Sequence, residues 1–317
     1  MPEPPWTKPG WLAEAEAWIR EKVEVTGELD QFHVRWWSMV IRVPTRGENL
    51  YFKAVAEGFT FEPALTARLV ELQPDRVPAL VDIDLDRHWM LMRDGGRRLR
   101  EVVSGPADLR HWERALPRYA ELQLAAAPAT DEFLALGVPD ARLSKLAGQL
   151  RAVLAKPVRG LGRRDQEQLL GAVPEFEAMC GELTHYGIPE TIQHDDLHDG
   201  QIFVRDGRYL FFDWGDSCIS QPFHSLTVTL RASAAKLDLE PGGTELRRLR
   251  DAYLEPFGDL REAADLAYRT GTVARALAWD RFVREGFPHT EPDDDLATAY
   301  GLSLFLENGP IGSWRNS

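Results

Sequence analysis

The sequence predicts an α+β protein of two lobes. A small strand-rich lobe covers residues 1–92, a hinge covers 93–96, and a larger helical lobe covers 97–317. Three observations predict this. Strand-like runs crowd into the first lobe on both sides of one helical stretch. A Gly-Gly pair at 95 and 96 then permits a sharp change of direction. Beyond it, apolar residues recur at helical spacing, except in one acidic hairpin between 192 and 214. The 317 residues, 44% of them hydrophobic, suffice for a sizeable core or for two lobes sharing a cleft.

Along the chain, Trp11, Ala15, Trp18 and Ile19 recur at helical spacing and predict an amphipathic helix over 11–23. Alternating β-rich runs follow at 32–37, 39–43 and 50–55, the last two joined by a turn containing Arg46-Gly47-Glu48-Asn49. Residues 48–52 look like part of a protease tag site, but they sit inside the strand pattern and read as native. A helix is expected over 61–72, because Pro63 is tolerable in a first turn. Residues 77–83 and 89–92 read as two more strands. After the hinge, Leu109, Trp112, Leu116 and Tyr119 share one helix face, with a distortion expected at Pro117. Two or three helices fill 131–185, interrupted by a basic, exposed loop at 156–164. Two strand-like runs flank an Arg205-Asp206-Gly207-Arg208 turn. Four helices are expected near 223–237, 243–255, 260–285 and 293–306. No internal repeat is present.

The formal net charge of -13 argues against nucleic-acid binding through a broad basic face. It fits a cationic substrate only if the acids line a cleft; otherwise solubility accounts for it. Cys180 and Cys218 are the only cysteines, and neither lies in a metal-binding pair or a disulfide framework. A cytoplasmic location is the simplest expectation. The N-terminus lacks a basic segment followed by an apolar one, so no signal peptide is expected. No apolar run is long enough to span a bilayer, so no membrane partner is expected either.

The densest chemistry lies in His194-Asp195-Asp196-Leu197-His198-Asp199-Gly200-Gln201, followed by Phe211-Phe212-Asp213-Trp214. One carboxylate can orient a hydroxyl, while an amide oxygen and a second carboxylate hold magnesium. Magnesium prefers hard oxygen ligands, which Gln201 and Asp213 both supply. Taken singly, these are a solvated acidic loop, a turn-stabilising amide and a capping acid. Taken together and in this order, they favour phosphoryl transfer. The segment resembles the catalytic loop of the aminoglycoside phosphotransferase family, part of the kinase-like superfamily. There the pattern usually reads H-G-D-x-x-x-x-N, followed by a hydrophobic-Asp-Trp or hydrophobic-Asp-Phe element. Asp195 stands in place of the Gly and Gln201 in place of the Asn. Glutamine keeps the carbonyl oxygen on a stem one methylene longer, so magnesium binding remains feasible.

The resemblance implies a protein-kinase-like fold and Mg2+-dependent transfer of the terminal phosphate of ATP or GTP to a hydroxyl of a small molecule. That acceptor would be an aminoglycoside, an amino sugar, another sugar or an amino alcohol. Asp196 becomes the catalytic residue, and Gln201 and Asp213 become the metal ligands. Lys53 becomes the cation on the nucleotide phosphates, positioned by Glu62 ahead of Glu57 or Glu71. Trp37-Ser38-Met39 falls where the phosphate-covering turn belongs, so Ser38 is a nucleotide contact; Trp36 and Trp37 read equally well as core. The Arg93 carbonyl and the Gly95 amide are the adenine partners. His194 and His198 are expected to be structural. Adjacent residues of an extended loop point apart, so one of Asp195 and Asp196 should be poised and the other structural. Restoring the family's glycine with Asp195→Gly should then be tolerated.

The family often continues with Gly-Asp-Pro and then Asp-Leu-Ala. Residues 220–226 here lack the bracing Asp, and His224 or Ser225 is expected to substitute. Trp279, Asp280 and Glu285 are substrate-pocket candidates. Asp293, Asp294 and Asp295 read instead as a helix N-terminal charge cluster. The competing class is a kinase-like nucleotide- or ligand-binding protein with little or no turnover, motivated by Gln201, Asp195 and the missing Asp. A protein kinase fits less well, since no A-P-E element follows Asp213.

Overall fold

Helix α1 (Trp11–Lys22) buries the four residues whose spacing predicts it, Trp11, Ala15, Trp18 and Ile19. In the computed structural model, which describes residues 3–284 and 296–313, this helix packs on a five-stranded antiparallel sheet. The strands are β1 (Asp30–Val34), β2 (Ser38–Pro44), β3 (Asn49–Val55), β4 (Leu80–Asp84) and β5 (Trp89–Arg93), in the order β1-β2-β3-β5-β4. Period two along β3 decides the site: Leu50, Phe52 and Ala54 join the core under α1, so Lys53 faces the other side. Phe52 meets Trp89 at 5.4 Å and Trp18 at 5.8 Å, ring centre to ring centre. Each such pair adds about 0.5–1.5 kcal/mol beyond buried area, which makes β3 a stiff mount for Lys53.

Two strands differ from expectation. β1 ends at Val34, because Arg35 N–H donates to Ser38 O at 2.9 Å and closes a hairpin whose loop is Trp36-Trp37. β4 begins only at Leu80, because Pro78 has no N–H to give a ladder. Helix α2 (Glu62–Leu72) has Pro63 in its first turn, as expected, and buries Glu62.

The helical lobe contains β6 (Arg97–Arg98), α3 (Arg110–Ala126), α4 (Thr130–Ala135), α5 (Leu143–Leu154) and α6 (Arg163–His185). Then come β7 (Thr191–Gln193), β8 (Ile202–Arg205), β9 (Arg208–Phe211) and β10 (Cys218–Ser220). It closes with α7 (Ser225–Leu237), α8 (Thr244–Leu254), α9 (Arg261–Arg284) and α10 (Ala297–Glu307). Trp112, Leu116 and Tyr119 are buried on α3, which continues past Pro117. The basic 156–164 stretch bridges α5 and α6. Strand β8 pairs with β6 and β9, and β7 pairs with β10. The β8–β9 turn is Asp206-Gly207, with φ of 51° and 74° and Arg205 opposite Arg208, the twist that two-residue hairpins favour. One apolar cluster runs from Phe61, Leu65 and Leu69 at α2 into α3, α6 and α9, so the two lobes share a core beside the cleft. Both cysteines are buried and free. No helix among the described residues is long and apolar enough to cross a membrane.

Candidate active site

The sheet and the acidic hairpin meet at one lysine. Lys53 Nζ donates to Glu62 Oε1 and to Asp213 Oδ1, both at 2.6 Å. Lys53 and Glu62 are 5% and 1% exposed. Burial opposes the charge on Lys53, but Asp213 and Glu62 more than offset it, and its pKa is raised. The acids are not equivalent. Burial pushes the Glu62 carboxyl up despite Lys53, whereas at Asp213 the nearby lysine outweighs burial and holds the carboxyl down. Asp213 is thus the more firmly ionised partner. The rivals for positioning Lys53 lie elsewhere: Glu71 pairs with Arg68 on α2, and Glu57 precedes that helix.

Two adjoining cavities of about 280 and 480 Å3 share His33, Ser38, Lys53, His198, Gln201 and Asp213. The smaller adds Asp196, Asp216, Arg275 and Trp279, with the rings of Trp36 and Trp37. The larger adds Arg93 and Gly95 with Met92, Phe203 and Phe212. Ser38 opens β2 at their junction. A Cβ at Gly95 would run into the Phe203 ring, so the glycine permits the close approach of the 93–96 segment to the hairpin. A wider groove of about 800 Å3 beside α3 holds none of these residues. Its Arg76 and Arg118 are neutralised by Glu121, and its Arg208 by Asp75.

The catalytic-loop candidate, residues 194–201, is held from several sides. His194 Nε2–H donates to Phe212 O at 2.8 Å, and Asp196 N–H donates to His194 Nδ1 at 3.3 Å. Burial lowers the His194 pKa, consistent with a neutral ring in this structural role. Tyr119 OH accepts the His194 N–H at 2.9 Å and meets Ser225 Oγ at 3.0 Å. Thr229 Oγ1 donates to Leu197 O at 2.8 Å. Of the two expected substitutes for the missing Asp, Ser225 therefore reaches the loop through Tyr119. His224 instead meets Ser220 and Thr270 and does not touch it.

The two adjacent acids do not point apart. Asp195 has φ +62°, not the extended backbone assumed from sequence, and both carboxylates reach one guanidinium. Arg275 Nη1 donates to Asp195 Oδ2 and Nη2 to Asp196 Oδ1, each at 3.2 Å. Asp216 lies 3.9 Å from the same group, and Trp279 stacks on it at 5.1 Å. Asp195 also accepts from Gln193 Nε2 at 3.1 Å. Burial favours the neutral form of Asp196, but His198 and Arg275 outweigh it and hold its carboxyl well below the usual range. Burial, with the Asp196, Asp213 and Asp195 carboxylates, pushes Asp216 up to about 7 against the pull of Arg275. Sequence reasoning missed Arg275. The signal available was a lone arginine within Val273, Ala274, Ala276 and Leu277, an otherwise apolar helical stretch.

The oxygen donors suit a hard cation. Asp213 gives Oδ1 to Lys53 and has a second carboxylate oxygen. Gln201 spends an amide N–H on Asp196 Oδ2 at 3.3 Å, which turns its carbonyl oxygen the other way. Both line the shared cavity, and such donors fit magnesium. Among the described residues, no three His, Cys, Asp or Glu side chains form a metal-holding group. Of the substrate-pocket candidates, Trp279 lines the smaller cavity and Asp280 does not, while Glu285 lies outside the described residues, as does the acidic cluster Asp293, Asp294 and Asp295.

The sequence model of the phosphotransferase enzyme family matches residues 23–266. A choline/ethanolamine kinase family protein from Mesorhizobium loti superposes with TM-score 0.64 at 14% identity, covering 94% of each chain. Choline kinase LicA from Streptococcus pneumoniae gives TM-score 0.64 at 12% identity, covering 93% of this chain and 99% of its own. A spectinomycin phosphotransferase in complex with ADP and spectinomycin gives TM-score 0.53 at 8% identity, covering 93% of both. At these identities the likeness is one of fold. No curated protein matches the chain.

Proposed function

The chain belongs to the phosphotransferase enzyme family, and from that premise we propose that it transfers the terminal phosphate of ATP or GTP to a hydroxyl of a small molecule with magnesium. The observation that carries this reading is Lys53 Nζ, 2.6 Å from carboxylates of both lobes, in the cavity that Asp196 and Gln201 also line. Residues 1–92 hold the nucleotide, 93–96 form the hinge, and 97–317 carry the catalytic and acceptor groups. Lys53, held by Glu62, grips the nucleotide phosphates, with Ser38 beside them. The nucleobase lies against Arg93 and Gly95 backbone, near the Phe203 and Phe212 rings. Gln201 and Asp213 would hold the magnesium, which would supply charge neutralisation to the phosphates.

Asp196 accepts a hydrogen bond from the acceptor hydroxyl and aims it at the phosphate. Its depressed pKa makes it a weak base, which suits a loose transition state in which the proton leaves late. The acceptor sits between the Trp36-Trp37 loop and Trp279, where an amino sugar, an aminoglycoside or another sugar can bring both a hydroxyl and an apolar face.

An ATP- and GTP-consumption screen over aminoglycosides, amino sugars and other sugars tests the reading, with Asp196→Asn as control. Acceptor-dependent nucleoside diphosphate release that falls on the order of 100-fold or more in Asp196→Asn is expected. Tight nucleotide binding with equal, negligible turnover in both proteins would instead establish a binding protein.

A further inference from the structure

We propose that Arg275 is a positioning residue for Asp196 and that Asp195 is its anchor, an inference that rests on the phosphotransfer reading of this site. The guanidinium is divided between two carboxylates: Nη1 meets Asp195 and Nη2 meets Asp196, both at 3.2 Å. A planar, forked cation bridging two acids fixes the direction of each, which a lysine ammonium cannot do. Its plane is set from below by Trp279, one helical turn further along α9. Nε has no hydrogen-bond partner among the described residues, so the Nη contacts to Asp195 and Asp196, the Asp216 carboxylate 3.9 Å from Nη2 and the ring are what orient the group. Ala274, Ala276 and Leu277 are buried around it, so the mount is rigid.

Asp195 is buried, lines neither cavity, and is tied to Gln193 as well as to Arg275. It therefore holds the guanidinium back and keeps it from closing wholly on Asp196. The result is an Asp196 carboxylate fixed at Oδ1, with Oδ2 near Gln201 and His198 at the cavity wall. A misplacement of about 1 Å there would cost on the order of 100-fold in rate.

Arg275→Ala alone strands Asp195 as a buried lone charge and threatens folding. The test therefore uses Asp195→Asn combined with Arg275→Met, which removes both charges and keeps a residue that tolerates positive φ, and Arg275→Lys as a second variant. The first measurement is crystallographic, the orientation of Asp196. The second is hydrolysis of magnesium-ATP with water as acceptor. In both variants the Asp196 carboxylate should leave its present orientation. The kcat should fall about tenfold or more, with KM for ATP held within about twofold. An unmoved Asp196, or a kcat within about twofold of the unmodified protein, overturns the inference. Failure of the phosphotransfer reading looks different: the unmodified protein consumes no ATP with any acceptor, and the Asp196 orientation still decides the role of Arg275.

Discussion

Asp195→Gly sets two structural terms against each other. The backbone at this position has φ +62°, a region that disfavours a Cβ by about 1–2 kcal/mol and less for Asp. Glycine has no Cβ to strain in that conformation, so the variant gains about 1 kcal/mol from this term. Against it stands a carboxylate that is 3% exposed and paired with Arg275 at 3.2 Å. Breaking one partner out of a buried ion pair costs about 3–5 kcal/mol. Arg275 keeps Asp196 at 3.2 Å and Asp216 at 3.9 Å, so the lower end, about 3 kcal/mol, applies. The loss outweighs the gain, and the variant should be less stable by about 2 kcal/mol. The sequence alone suggests that restoring glycine is tolerated; the ion pair reverses that expectation. Urea unfolding followed by tryptophan fluorescence measures it, with Asp195→Asn as a control that keeps the side-chain shape. A glycine variant as stable as the unmodified protein refutes the argument.

Three further outcomes follow from the same geometry. ATP should bind more tightly with magnesium than without, and Asp213→Ala should remove most of that difference; calorimetry giving equal affinities in all four combinations counts against the metal assignment. Gly95→Ala drives a methyl into Phe203, which stacks on Phe212 at 4.0 Å, so it should cost about 1–3 kcal/mol and raise KM for the nucleotide more than it lowers kcat; an unchanged melting temperature and KM would show that the ring yields freely. Asp216, raised from 3.8 to about 7, contributes stability that is fully present below its unfolded pKa and lost as pH rises through about 7. Asp216→Asn should therefore gain stability relative to the unmodified protein between pH 4 and 8, and a difference independent of pH would refute the shift.

The fold was legible wherever the signal was local and periodic. Trp11, Ala15, Trp18 and Ile19 define a helical stripe, and all four are buried as that stripe requires. The 205–208 turn announced the β8–β9 hairpin, since Asp-Gly favours the positive φ values that two-residue loops need. Where the reading slipped, a local competitor won over periodicity. The run at 32–37 looks like one strand, but Trp36-Trp37 can close a hairpin, and aromatic residues carry no turn signal.

The site divides along a different line. Lys53, Glu62 and Asp213 could be singled out because the resemblance implies a lysine on a strand, an acid on the next helix and an Asp after the catalytic loop, although Lys53 and Asp213 are 160 positions apart. Arg275 belongs to no motif. Its partners at 195 and 196 lie 80 and 79 positions away, and an arginine in an apolar helix is equally compatible with a surface stripe. Charge arithmetic offered a second route to it. A buried acid beside the catalytic candidate, where glycine is usual, must have a cation to offset its desolvation. The departure at Asp195 therefore implied a compensating Arg or Lys somewhere in the chain. Only the packing of α9 against residues 194–201 says which one.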